Sequence, residues 1–315
     1  MPLFHQITLI GAGLIGSSLA HNIRRHGLAN RLVVVEASAD RCQQVMDLCL
    51  ADHATQDAAA GVRDADLVIM CTPVGLYGSL AQQMCPHLKP GAILSDVGSV
   101  KAQVIADVVP HLRSDVFLVP GHPIAGTEKS GPTAGFAELF ENRWAILTPL
   151  PDTPAAILGQ VRGFWQACGA KVEVMEAAAH DMVLAITSHL PHLIAYTIVD
   201  TAVQLEDSLK SEVIKYSASG FRDFTRIAGS DPTMWRDIFL TNKEAVLDML
   251  GRFSEDLALM KTAIEADDGQ TLFDRFTETR TIRREVVDQG QAGTFDPREP
   301  KREEADAQIL TPYGG

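Results

Sequence analysis

Basic side chains are in short supply. Twenty-seven Lys and Arg face 40 Asp and Glu, a formal charge of −13. That balance repels polyanions, so nucleic acid is excluded as a partner, and a small anionic substrate would need a local cluster of Arg or His. Cysteine is sparse and unpatterned. Cys42, Cys49, Cys71, Cys85 and Cys168 are odd in number and form no CxxC pair. This excludes a disulfide framework and a zinc site, so no metal is expected, and the thiols are expected to be buried in a reducing cytoplasm. Long hydrophobic runs are missing as well. The longest are strand-length, so no segment reads as a membrane span. The first residues enter a strand without the basic and apolar stretches of an export signal, which implies a cytoplasmic location.

The chain has 46% hydrophobic and 21% charged residues over a length of 315, the composition of a globular protein with two domains. Residues 7–10 form a short apolar run that leads directly into Gly11-Ala12-Gly13-Leu14-Ile15-Gly16 and an amphipathic stretch to about His26. This is GxGxxG between a strand and a helix. Gly11 allows the tight turn, Gly13 lets a pyrophosphate approach the backbone, and Gly16 lets the helix lie close to the strand. Leu14 and Ile15 open the helix, whose free N–H groups and positive dipole end suit phosphates. Residues 32–35 form the second strand and end in Glu36, whose carboxylate suits free ribose hydroxyls and repels a 2′-phosphate. NAD is therefore expected over NADP, with Arg41 as the one nearby cation that could reach a 2′-phosphate.

The rhythm repeats. Strand 66–71 ends in Thr72-Pro73, where the chain crosses the cofactor's edge; strand 91–96 leads into Val97-Gly98-Ser99-Val100-Lys101. Ser99 has two compatible readings, a helix N-cap and a residue facing a ligand. Strand 116–119 precedes the loop 121–131, GHPIAGTEKSG, which packs His122, Thr127, Glu128, Lys129 and Ser130 between glycines. A polar loop at the carboxyl end of a parallel sheet is a candidate site, and a solvated surface turn is the bland alternative. Strands at 144–148 and 171–174, with a helix between them, complete a doubly wound, mostly parallel α/β sheet.

Beyond residue 176 only helices are expected. One long helix, 177–205, carries His180, Ser188, His189 and His192, with a kink predicted at Pro191. These histidines could serve a site or bridge helices structurally. Arg222 and Arg226 stand at i and i+4, so Asp223 can neutralise one and leave the other to grip a carboxylate. Trp235 and the paired phenylalanines could wall a pocket or simply fill a core. Asp231-Pro232 predicts a helix start. The expected domains are 1–176 and 177–290, with 291–315 a disordered tail.

GAGLIGSS, DVGSVK, GHPIAGTEKSG, HDMVLAITSHLPH and GFRDFTRIAGSDPTMW, in this order and spacing, resemble the prephenate/arogenate (cyclohexadienyl) dehydrogenases of tyrosine biosynthesis over roughly residues 5–285. The resemblance implies a Rossmann domain followed by an all-helical dimerisation and substrate domain, hence a homodimer. It implies NAD-dependent oxidative decarboxylation of a small anionic cyclohexadienyl substrate, with prephenate and arogenate both accepted. It gives His122 the part of base toward the ring hydroxyl, with Ser99 hydrogen-bonded to both. Arg226 would bind the ring carboxylate, with His192 and Thr127 nearby and Glu128 at the pocket mouth. Two other classes keep the same first half: a 3-hydroxy-acid dehydrogenase, whose lysine or His–Glu pair has no match here, and an NAD-binding regulator, which has no use for a base.

Overall fold

The apolar run at the N-terminus is longer than the pattern predicted. It forms β1 (Phe4–Ile10), and its alternate side chains divide between two cores. In a computed structural model, which describes residues 2–127, 129–204 and 219–286, β1 pairs in parallel with β2 (Ala29–Val35) on one side and β4 (Leu67–Met70) on the other. A short edge strand, β3 (His53–Thr55), continues the sheet beyond β2 and had no sequence signal. On the other side β5 (Ile93–Asp96) and β6 (Phe117–Val119) complete it, giving the order β3-β2-β1-β4-β5-β6. The order reverses beside β1, so the carboxyl ends of β1 and β4 frame a crevice where such sheets bind ligands.

Both faces of the sheet are covered. Ile7, Leu9, Leu67 and Ile69 face α1 (Leu14–His26) and α6 (Ala155–Ala167) through Leu19, Ile23, Phe164 and Trp165. Ile10, Val68, Met70 and Leu94 face α3 (Ala58–Val62) and α4 (Tyr77–Met84) through Val62, Tyr77, Ala81 and Met84. Burial on two faces explains why these strands read as continuous apolar runs.

The later strands depart from expectation. They form a second, three-stranded sheet in which β7 (Gly121–Pro123) runs antiparallel to β8 (Trp144–Leu147), and β8 parallel to β9 (Lys171–Val174). His122 therefore lies on a strand, opposite Ile146, and the expected loop begins only after Pro123. Pro120 separates β6 from β7, and its carbonyl accepts the Thr148 N–H at 2.9 Å. α2 (Ala39–Asp47) and α5 (Ala102–Val108) fill the remaining crossovers.

The helical half opens with α7 (Ala177–Leu184), a π turn (Ala185–His189) and α8 (Leu190–Val203). The widened turn stands just before Pro191, which has no N–H for the carbonyl four residues back, so the register shift takes up the missing bond. This continuous helix, Ala177–Val203, is long and apolar enough to cross a membrane by length and composition, which corrects the reading that no segment qualifies. Counting apolar runs missed it because histidines and hydroxyls interrupt them. Here its polar residues His180, Asp181 and His189 are buried. α9 (Ser219–Thr225), a 3-10 turn (Arg226–Gly229), α10 (Pro232–Thr241) and α11 (Lys243–Glu265) follow, and Asp231 caps α10 as its sequence predicted. α12 (Gly269–Val286) is the last described element. By its contacts the chain divides into two units, Met1–Leu250 and Gly251–Gly315; the expected tail, 291–315, lies outside the described residues. All five cysteines are free, but only Cys85 and Cys168 are fully buried; Cys49 is exposed, against expectation.

Candidate active site

The glycine turn is shaped for a dinucleotide. Gly11 has φ +97°, and a Cβ on Gly16 would lie 2.1 Å from the Gly11 carbonyl oxygen, so neither tolerates a side chain. A Cβ on Gly13 would meet nothing within 4 Å, which marks the open face where a phosphate can approach. Gly13 is the N-cap of α1 and makes no side-chain cap bond, and the first turn has no acidic residue, which leaves its N-terminal N–H groups suited to a phosphate. Leu14 and Ile15 anchor that turn to the core, Leu14 buried and Ile15 packed at its edge. Glu36 is buried at the end of β2; one carboxylate oxygen accepts the Ala12 N–H and the other the Ala37 N–H at 3.2 Å. Arg41 stands 4.0 Å from that carboxylate and is paired with it. Thr72 follows the end of β4 with its hydroxyl buried and unpartnered beside Gly11, and Pro73 turns the chain away. This donor set fits NAD.

Next to the turn lies a buried polar chain. Asp96 ends β5 and Lys101 precedes α5; both are wholly buried, and their side chains form an ion pair. Asp96 accepts the Gly121 N–H at 3.1 Å and Lys101 Nζ donates to the Gly121 carbonyl at 2.6 Å, so the pair clamps the residue before His122. Burial pushes the Asp96 carboxyl up and the Lys101 ammonium down, while their mutual attraction opposes both. Ser99 is half-buried on the turn between them. It is not the helix cap; the N-cap position is Lys101, which makes no side-chain cap bond. Asp181 from α7 caps α5 instead, accepting the N–H groups of Lys101 at 2.7 Å and Ala102 at 2.8 Å.

His122 is 8% exposed, and its Nδ1 lies 2.8 Å from His180 Nε2. The expected bond from Ser99 to His122 is not among those of the described residues. His180 Nδ1 in turn lies 2.8 Å from Asp181 Oδ1. Burial, followed by the charges of His180, Lys101 and His189, holds His122 well below the ordinary histidine value of 6.5. It is therefore uncharged at neutral pH, as a base must be.

His192 stacks on Trp235 with centroids 3.7 Å apart, and its Nδ1 donates to the Ser188 carbonyl at 2.8 Å. Burial lowers its pKa, the Ser188 carbonyl raises it, and Arg226 lowers it again, which places Arg226 within electrostatic reach of His192. Arg222 pairs with Asp223 at 3.6 Å, both largely exposed, and Arg226 is exposed as well. Thr127 is half-buried and accepts the Lys129 N–H at 3.2 Å, and no hydrogen bond among the described residues links it to His122. Glu128 lies outside the described residues. Sequence reasoning missed Asp96, Lys101, Asp181 and Asn242. Asn242 donates to the Asp181 carbonyl at 2.9 Å and contacts His189 Nδ1 at 3.1 Å. The adjacent His180-Asp181 at a helix start was the available signal.

The strand order and the glycine turn define a dinucleotide-binding protein. The chain belongs to the prephenate dehydrogenase family. Its residues 19–174 match the model of the nucleotide-binding domain and residues 176–278 that of the dimerization domain. It is 41% identical to the cyclohexadienyl dehydrogenase of Zymomonas mobilis subsp. mobilis over 283 residues, covering 90% of this chain and 96% of that one. It is 33% identical to the prephenate dehydrogenase of Bacillus subtilis (strain 168), covering 88% of this chain and 75% of that one. Among solved structures, prephenate dehydrogenase from Aquifex aeolicus in complex with hydroxyphenyl propionate and NAD+ superposes with TM-score 0.84 at 34% identity, covering 90% of this chain and 98% of that one.

Proposed function

We propose that the chain catalyses the NAD-dependent oxidative decarboxylation of prephenate or arogenate, giving 4-hydroxyphenylpyruvate or tyrosine. The observation that carries this is a buried, uncharged His122 on the strand clamped beside the nucleotide turn, in a chain whose both halves match one dehydrogenase family. The Gly11–Gly16 turn and Glu36 would hold NAD+, which would supply an acceptor for the hydride of the ring carbon that bears the hydroxyl. His122 takes the hydroxyl proton, leaving a dienone carbonyl. As the C–CO2 bond breaks, its electron pair enters the ring and the dienone oxygen regains a proton. His122 is the group placed to return it, so the base is restored within the turnover. Ser99 orients the hydroxyl. Arg226 and His192 hold the carboxylate end, with Thr127 nearby, and the family resemblance gives Glu128 a part at the pocket mouth. Arg226 must bind that carboxylate without over-stabilising a charge that has to disperse as CO2 leaves.

The domains divide as 1–176 for the nucleotide and 177–290 for the substrate and the second subunit. A homodimer accounts for Met182, Val183, Ile186, Ile198 and Val203 standing exposed on the long helix. The enzyme works in the cytoplasm. Glu36 supports NAD, and its pairing with Arg41 removes the nearest cation from a 2′-phosphate. The test is a steady-state assay with prephenate and arogenate, each with NAD and NADP. Nicotinamide reduction with NAD and at least one substrate is expected; none in all four combinations overturns the reading.

A further inference from the structure

The two partners of the base's hydrogen bond come from different halves of the chain, His122 from β7 and His180 from α7. The rings meet edge-on, with centroids 5.1 Å apart and planes at 67°. His180 is wholly buried. Behind it, the Asp181 carboxylate already accepts two backbone N–H groups, at 2.7 and 2.8 Å. A carboxylate only accepts, so the hydrogen between Asp181 Oδ1 and His180 Nδ1 belongs to the histidine. A neutral His180 with its hydrogen on Nδ1 turns the lone pair of Nε2 toward His122. Two lone pairs cannot face each other at 2.8 Å, so His122 must carry its own hydrogen on Nδ1. Which imidazole nitrogen is protonated is set by the bond the other makes.

We propose that His180 is a positioning residue that fixes His122 as its Nδ1–H tautomer, with Asp181 fixing His180 in turn, so that the electron pair of the base always stands at Nε2. This rests on the reading of His122 as the base. A charged His180 would instead donate to His122 Nδ1 and force the opposite, Nε2–H tautomer, but burial above all and the Lys101 charge lower its pKa, and the Asp181 bond and the charges of Asp181 and Asp96 only partly offset them. Nε2 is the ring nitrogen of His122 that no protein group occupies among the described hydrogen bonds. Without His180 the two tautomers would interchange, and in one of them Nε2 would present a hydrogen to the substrate hydroxyl where an acceptor is required. When His122 takes the substrate proton, its Nδ1–H still has a neutral acceptor, and the Asp181 carboxylate behind it favours the positive charge. The arrangement follows the same logic by which a third group orients a catalytic imidazole in other enzymes.

The measurement is a long-range 1H–15N correlation on 15N-histidine-labelled enzyme at pH 7.5, with His122 assigned by its loss in His122→Asn. Wild type should show His122 protonated at Nδ1 and unprotonated at Nε2. His180→Leu should move His122 toward the Nε2–H tautomer and lower kcat on the order of 10–100-fold, with KM for NAD and substrate within about twofold. His180→Gln offers an amide oxygen to Nδ1–H and should recover both the tautomer and about tenfold of the rate. A wild-type His122 protonated at Nε2 overturns the proposal, as does His180→Leu that keeps the Nδ1–H signature and the rate. If His180→Leu does not fold, the wild-type spectrum and His180→Gln still decide. Failure of the base reading looks different: His122→Asn would then keep full turnover whatever the tautomer.

Discussion

Lys101 lies wholly buried with its ammonium on Asp96 and on the carbonyl of Gly121, the residue before His122. The pair ties β5, the start of α5 and β7 to one another. Removing one charge leaves the other unpaired in the interior. Lys101→Met should therefore cost about 3–5 kcal/mol, read as a lower urea midpoint. Adding Asp96→Asn to that variant should recover part of the loss. Additive losses in the double variant would show that the two side chains act independently.

Glu36 has two tasks, accepting the Ala12 N–H and selecting the cofactor. NAD should be preferred by at least about tenfold in kcat/KM, roughly 1.4 kcal/mol. Glu36→Gln keeps an acceptor for Ala12 but drops the repulsion of a 2′-phosphate and releases Arg41, 4.0 Å away, to pair with it. The preference should shrink toward unity while KM for NAD changes little. An unchanged preference would place the selection elsewhere.

Arg222 and Arg226 stand four residues apart, and kinetics should separate them. Arg226→Ala should raise KM for the substrate by about 10–150-fold, the loss of a charge-assisted contact worth on the order of 1.5–3 kcal/mol, with KM for NAD nearly unchanged. Arg222→Ala loses an exposed pair with Asp223 and should change neither by more than about twofold. The reverse pattern would mean that Arg222 holds the carboxylate.

Burying uncharged histidines makes the fold sensitive to acid. Burial holds His189 down at about 4, against 6.5 for an ordinary histidine. Between those values the unfolded chain binds the extra proton, so stability present above pH 6.5 is lost as the pH falls toward 4. His189 alone accounts for on the order of 3 kcal/mol of that loss. His189→Gln should unfold at a lower urea concentration at pH 7.5 yet show a flatter decline between pH 6.5 and 4.5. Parallel declines in the two proteins would contradict the assignment.

The first half was legible because its signals are local. Gly11, Gly13, Gly16 and Glu36 declare a turn and a strand end whatever follows them, and the apolar run of Ile7 to Ile10 is a short-range signal. The second sheet was hidden because β7 is three residues long and pairs with β8 more than twenty residues away, so its pattern is a matter of tertiary register. The same holds for the support of His122. Nothing in the spacing of 58 residues predicts that His180 will stand behind it. Nor does DVGSVK show that Asp181, 80 residues from Lys101, will cap α5. The family resemblance named His122, Ser99 and Arg226 as touching the substrate, whereas the residues that hold them in place are visible only in three dimensions.

The account rests most heavily on His122 as the base, and the pH dependence of kcat/KM in wild type and His122→Asn tests it most directly. Because His122 is held well below 6.5, the wild-type rate should stay level through neutral pH and fall only in acid, below the ordinary histidine range. His122→Asn can hydrogen-bond but cannot take a proton. It should bind NAD and substrate nearly as wild type does, lose about 10²–10⁴ in kcat, and lose that acidic limb. A His122→Asn enzyme that keeps both rate and limb would contradict the account and move the base to another group.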